Sequence, residues 1–537
     1  MSISRLLTSI KHSTSRSQGF LQIPNYVHTR LYHFRPGSLH LQRDSSIFGR
    51  KFSEMFTRQV TTYSVHPEKM WLKPDLLLTN SNNTRELVDG NDLVPLIENE
   101  MCWVIPEKID AQRFRNALQK ALTVFPTFAG RMRKSDNGYQ ILYSGPGLPV
   151  QFAQIDVVAH PAAEATEDNV SQDSSTMEQF LDVNSFTSLT LEDDTPLATL
   201  KLTYLTKTGQ TVIGLSSNQS IADAPTVKLF MHAISQLYQG LEPLNKPMYS
   251  MHKWVAEESK GTTVNHIPSS MTPEDVNQRI WGGDTKGCSL LQMSFTRGEV
   301  NALKMRIQQE INNKAPRTSS QDAVVAYLAN LYNKFVDEPI TTVRFVLTYR
   351  LKETDESNRY RDMNNAGNGI YMVDVPIEGV SGLVEKASAF RKAIISSREH
   401  HNLEALISAR SASGFEMMRN GQIMPCSGPG ILLANGIQNV DFVENVSFGC
   451  PGRVQAYYST FYPRYLTLTK PNPVQLADGT WKRNENDVVA AMPVPRYVKE
   501  KILQQKARDM QCLLQATEHV DQYWSWWGAG IATSTVV

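Results

Sequence analysis

Between Thr211 and Phe230 the chain reads TVIGLSSNQSIADAPTVKLF: an apolar, β-branched run, a short polar corner, then the first turns of a helix. TVIGLSS has the composition of a strand, and after Asp223 the residues Val227, Phe230, Ile234 and Leu237 mark a helix ending near Gly240. A strand that turns into a helix through so few residues has to pack against it, which restricts the chain to layered α/β arrangements. The corner also mounts Asn218, Gln219 and Asp223, at a kind of position where enzymes commonly carry their chemistry.

Elements of the same two kinds flank this one. Asp110 can cap a helix with Phe114, Leu118, Leu122 and Phe125 at helical spacing, closed by Pro126. FAGRMRK and GYQILYS follow as strands joined by Asp136-Asn137-Gly138, a hairpin turn whose Asn and Gly tolerate positive φ. Residues 157 to 186, acidic and Ser-rich, read as a loop or insertion. LATLKLTYLT then turns at Lys207 to Gln210 into the opening strand. Farther on, SLLQMSFT and TTVRFVLTYRL are strand-like, and Glu299 to Ile311 and Gly382 to Ser396 are amphipathic. Ser319 or Ser320 can cap QDAVVAYLANLYNKF, which is apolar on nearly all sides and therefore expected to be buried. The reading is an α/β fold with mixed sheets in two halves, residues 60–242 and 288–515, joined by a linker at 243–287 and followed by an aromatic tail at 516–537.

With 537 residues and 41% hydrophobic content, the chain has material for more than one core. A net charge of +1 gives no global basic field for nucleic acid. Cys102, Cys288, Cys426, Cys450 and Cys512 are widely separated with no C-x-x-C pair, which disfavours a disulfide scaffold or a metal site and suits a reducing compartment. Met1 to Arg43 holds six Lys or Arg residues and no acid, with Ile3, Leu6, Leu7 and Ile10 on one helical face. Residues 1–50 therefore read as a mitochondrial transit peptide, the alternative being a disordered basic tail. No apolar run reaches the ~18 residues that span a bilayer. Trp524, Trp526 and Trp527 concentrate in a charge-free stretch suited to a membrane interface or a partner groove, or to packing back on the domain. The expected state is a monomer.

In order along the chain, IDAQRFRNALQKALTVFPTFAGRMR, TPLATLKLTYLTKTGQTVIGLSSNQSIADAPTVKLF, SSQDAVVAYLANL, LTYRLK, GNGIYM around Asn368 and EKASAFRKAI resemble the blocks of the BAHD-type acyltransferases and their fungal relatives, the trichothecene acetyltransferases. The resemblance runs from about Val60 to Gln505. It implies two chloramphenicol-acetyltransferase-like domains with a channel at their interface, acyl-CoA as co-substrate, an alcohol or amine of a small molecule as acceptor, and no tightly bound cofactor. In that family the histidine of an HxxxD motif is the general base, its aspartate orients or braces, and a DFGWG motif downstream is structural.

Two departures bear on function. Asp223 is in register with the motif aspartate, but Gln219 stands where the histidine belongs and Asn218 beside it. A carboxamide can position an acceptor by hydrogen bonding, yet it has no usable basicity near neutral pH. General-base catalysis is typically worth ~10² to 10⁴ in rate. NVSFGCPGRV occupies the place of the second motif, with Ser447 for its aspartate, Phe448 and Gly449 retained, Cys450 for its tryptophan and Pro451 within its glycine pair. The resemblance pairs that lost aspartate with a strand arginine, here Arg350, which would then need water or a different acid. Among substitutes for the base, His232 is about 13 Å along the helix axis from Asp223 and reads as a surface or interface residue. His400 and His401 read as a solvated helix end. Asp223 itself suits a helix cap, and Cys450 a buried small residue. Two readings stay open: an acyl-CoA-dependent acyltransferase with a weakened or substrate-supplied base, and a non-catalytic binding or scaffold protein on the same fold.

Overall fold

The computed structural model describes residues 60–65, 84–86, 98–135, 138–143, 147–155, 177, 179–181, 196–249, 287–310, 317–351, 361–380, 382–420, 422, 428–458 and 464–527. The expected transit segment, most of the 157–186 insertion, most of the 243–287 linker and the side chains of the three tail tryptophans lie outside that set.

Two six-stranded mixed sheets organise the described residues. The first runs Val60–Val65, Leu148–Ile155, Ala198–Leu205, Thr211–Asn218, Glu98–Ile105, Gln455–Tyr458. Its pairs are antiparallel except Leu148–Ile155 with Ala198–Leu205. Every residue of Thr211–Asn218 is buried, as befits a strand paired on both edges and covered on both faces. On one face lie the helices Ala111–Val124 and Ala224–Tyr238, and Phe128 stacks on Phe230 with ring centroids 4.0 Å apart. On the other, Gly214 allows the Phe180 segment to lie directly on the strand, since a Cβ there would overlap the Phe180 carbonyl.

The second sheet runs Ile370–Pro376, Thr342–Thr348, Ile431–Gly436, Tyr465–Thr469, Val488–Pro495, Cys288–Phe295. Helix Ser320–Asn333 is buried from Asp322 to Ala329, as its all-round apolarity predicts, and starts with a capping box between Ser319 and Asp322. Helix Arg297–Glu310 begins two residues before the expected Glu299. The Thr296 hydroxyl accepts from the Glu299 N–H at 3.2 Å, and Glu299 Oε2 accepts from the Thr296 N–H at 2.7 Å. The last helix, Arg496–Trp527, continues through residue 516, where the tail was expected to begin.

The sequential split at 288 does not separate the two sheets. Ile437, Phe442, Val446, Phe448, Cys450 and Val454 pack in the first core, and Gln455–Tyr458 completes the first sheet beside Glu98–Ile105. Trp103 fixes this crossing by donating its indole N–H to the Phe442 carbonyl at 3.0 Å. Met248, in the expected linker, bridges to Asn365. Among the described residues no helix is long and apolar enough to cross a membrane.

Candidate functional site

The polar corner after Thr211–Asn218 is held from three directions. Asn218 Oδ1 accepts from the N–H and hydroxyl of Ser220, at 2.9 and 2.6 Å, closing the turn locally. Asn99 lies opposite Ser217 in the strand register and donates its amide to the Ala222 carbonyl at 2.6 Å. The Asp223 N–H donates to the Gly367 carbonyl at 3.1 Å.

Asp223 is fully buried and both its oxygens are committed. Oδ1 caps helix Ala224–Tyr238, accepting from the Thr226 N–H at 3.0 Å and the Thr226 hydroxyl at 2.7 Å. Oδ2 accepts from Arg350 Nε at 2.8 Å and from the Gly369 N–H at 2.9 Å. The remaining donors of Arg350 go to the carbonyls of Asp362, Asn365 and Gly367 and to the Thr226 hydroxyl. Gly369 makes room for the pair, since a Cβ there would lie 2.5 Å from Arg350 Nε and 3.0 Å from Asp223 Oδ2. The aspartate is thus a cap and a brace with no face left for an acceptor.

This geometry corrects the partner expected for Arg350. The different acid it needs is Asp223, and the Ser447 position takes no part. The N–H groups of Ser447 and Phe448 instead both donate to the Ser235 hydroxyl, at 2.9 and 3.0 Å, against the far end of the same helix. That grip supports a left-handed turn, with Phe448 at φ 49° and Gly449 at φ 92°, and seats the Phe448 ring near Phe114 and Tyr238.

Gln219, expected from the sequence to stand at the position of the motif histidine, is 6% exposed and its Nε2 faces Asn368 Oδ1 at 3.5 Å. The surface alternative for His232 is overturned: it is 3% exposed, with Nε2 unpartnered among the described residues. The helix that carries it is buried on nearly every side. Burial pushes its pKa below the ordinary histidine value, Lys228 adds to the shift and Glu444 opposes it. His400 and His401 are exposed on the first turn of helix His400–Arg419. Cys450 is buried, and burial followed by the nearby Glu107 pushes its thiol up to about 11, so it carries little thiolate at neutral pH. Among the described residues no group of three or more His, Cys, Asp or Glu is placed to hold a metal ion.

Sequence reading missed one network altogether. The Tyr458 hydroxyl donates to Asn99 Oδ1 at 3.0 Å and lies 3.3 Å from the Tyr465 hydroxyl, which accepts from Asn435 Nδ2 at 2.8 Å. The chain runs from the corner across the first sheet to two strands of the second. Its members sit on four separate strands, so no local pattern marks them.

Residues 100–352 match the sequence profile of the Transferase family. Among solved structures, vinorine synthase is 14% identical over 83% of this chain and 96% of its own, with a TM-score of 0.54. TRI101 of F. sporotrichioides, complexed with coenzyme A and T-2, is 14% identical over 78% and 97%, with a TM-score of 0.53. TRI101 of F. graminearum, complexed with ethyl coenzyme A, is 13% identical over 78% and 96%, with a TM-score of 0.54. At these identities the likeness is one of fold.

Two predictions follow from the buried charges. Arg350→Met leaves Asp223 uncompensated and should cost about 3–5 kcal/mol, measured by urea unfolding, whereas the double variant Asp223→Asn with Arg350→Met should cost less than the sum of the single changes. For His232, the unfolded side chain takes up a proton near pH 6.5 and the folded one only at lower pH. The unfolded state therefore binds more protons in that window, and stability falls as pH drops below about 6.5. Thermal melts across about pH 5 to 7.5 should show a steeper decline for wild type than for His232→Gln; parallel curves would clear His232 of the effect.

Proposed function

We propose that this chain is a relative of the BAHD-type acyltransferases, a reading supported by the Transferase family match over residues 100–352 and the shared fold, and that it transfers an acyl group from acyl-CoA to a hydroxyl or amine of a small molecule through a corner that positions the acceptor instead of deprotonating it. The observation that carries this reading is Gln219, which takes the place of the motif histidine on a corner whose bracing is otherwise complete. Among the described residues, neither His232 nor His400 nor His401 is hydrogen-bonded to that corner. Holding a reactive thioester beside an oriented nucleophile can itself lower a barrier by several kcal/mol, which leaves room for turnover without general-base catalysis. The coenzyme A complexes of the two TRI101 proteins support acyl-CoA as the donor to test.

The substitution of Gln219 equally supports a second reading, a protein that keeps the fold and its ligand for binding or scaffolding alone. Titration calorimetry with acetyl-CoA and thiol release in its presence separate the two. Under the first reading the wild type binds acetyl-CoA and releases thiol slowly with an alcohol panel, and Gln219→His gains on the order of 10²-fold or more. A wild type that already turns over alcohols at ordinary rates, with no gain from histidine, would sink the idea that Gln219 limits the site. Binding without any acceptor-dependent release by either protein favours the scaffold.

The composition of Met1 to Arg43 supports delivery to mitochondria. A fusion of residues 1–50 to a reporter should be imported by isolated mitochondria and cleaved; a reporter that stays outside would leave only a basic tail.

A further inference from the structure

The basic N-terminal segment and the first strand of the fold leave a short stretch between them. Met1 to Arg43 holds six Lys or Arg residues before the first acid, Asp44. Val60–Val65 is the edge strand of the first sheet and pairs at every residue with Leu148–Ile155, from Val60 opposite Ala153 to Val65 opposite Leu148. Backbone from Val60 onward belongs to the sheet, and a cut there would strip its edge strand. Cleavage that removes the basic segment and spares the fold therefore falls within residues 44–59, DSSIFGRKFSEMFTRQ. Arginine keeps its charge at any cellular pH, and its planar fork lets an acidic cleft fix a basic segment in register. Arg43 borders this stretch, and Arg50 and Arg58 lie in it. Arg43 is followed by Asp44, whose carboxylate an acidic cleft repels. Arg58 stands two residues before Val60, so the bonds just beyond it belong to the strand. Arg50 is followed by a second cation, Lys51, then by the apolar ring of Phe52 and the small Ser53. No proline lies between Pro36 and Pro67, so each of these residues can extend and offer its N–H to a cleft that binds them as an added strand.

Resting on the delivery to mitochondria read above, we propose that Arg50-Lys51-Phe52-Ser53 is a maturation site, cut by a processing protease with an acidic cleft so that the working chain begins at Ser53. Arg50 fixes the register in that cleft, and Phe52 fills an apolar pocket beside the scissile carbonyl. Water adds to the Phe52 carbonyl carbon, and the C–N bond to Ser53 breaks with its electron pair going to nitrogen. Both protons of the water end on that nitrogen, leaving Phe52 as a carboxylate and Ser53 as an α-ammonium group. Seven residues, 53 to 59, then precede the edge strand. Fully extended they reach up to about 25 Å, which keeps the cut clear of the sheet. Removal also inverts the charge of the chain. Residues 1–52 carry eight Lys or Arg against the single Asp44, so a net charge of +1 becomes −6. The charge that a negative-inside membrane potential draws inward leaves with the segment it serves.

The full chain, labelled during cell-free synthesis, is presented to isolated, energised mitochondria, and the product protected from added protease is analysed by N-terminal sequencing and isoelectric focusing. The expected product starts at Ser53 and focuses at a lower pH than the whole chain. Arg50→Gln should slow cleavage about 10-fold or more at matched import, and Arg50→Lys by less, because a point charge lacks the fork. Arg58→Gln should be cut as the wild type is. In the fusion of residues 1–50, Arg50 is the last native residue, so the cut it directs falls two residues inside the reporter. A product of the full chain that begins at any other residue, or Arg50→Gln cut at the wild-type rate, overturns the site and leaves delivery standing. An imported chain that is never cut does the same. A full chain that stays accessible to added protease overturns the delivery reading, and this site with it.

Discussion

A single buried ion pair, Asp223 with Arg350, sets the terms on which the two sheets meet. Both side chains are at most 1% exposed, and every strong donor or acceptor they offer is used. Such a pair adds little net stability over apolar packing, because desolvating two charges offsets most of their attraction. Its effect is on arrangement: with either partner displaced, a charge is stranded without water. The helix start at Ala224, the glycine-flanked Asn368 and the end of strand Thr342–Thr348 are thereby held at one fixed separation. Everything the corner can do chemically follows from that separation.

The second tie between the sheets is covalent continuity. After Ile431–Gly436 the chain leaves the second sheet, builds part of the first core and adds a strand to the first sheet before returning at Tyr465–Thr469. The Asn99, Tyr458, Tyr465 and Asn435 chain lies along that route. The Ser447 to Cys450 turn belongs to the same excursion. Its Ser447 and Phe448 N–H groups donate to the Ser235 hydroxyl on helix Ala224–Tyr238, which ties the segment to that helix.

Local order was legible in the sequence wherever a short-range rule decides it. Asp110, Ser319 and Asp223 are caps, the helix after Ser319 is buried, and the strands read as hairpins pair with each other. The cap at Asp223 was readable because capping involves residues three apart. Its second oxygen was not, because the Arg350 it binds is 127 positions away and nothing in either neighbourhood marks the pairing. His232 was misplaced for a related reason. A histidine among apolar helix residues looks amphipathic until the partners covering its other side are known. The sequence singled out Gln219 at the corner, but only the fold brings Asn368 to it, across 149 residues.

The strand Gln455–Tyr458 carries a consequence for biosynthesis. Roughly 350 residues separate Ile105 from Gln455, and at about 5–20 residues per second the open edge of Glu98–Ile105 waits on the order of half a minute for its neighbour to leave the ribosome. During that interval the edge is a template for any passing extended chain. The nascent first half is therefore the stage at which a holding chaperone has most to do, and a chain destined to cross a membrane before folding would turn the same delay to advantage by remaining incomplete until it is whole.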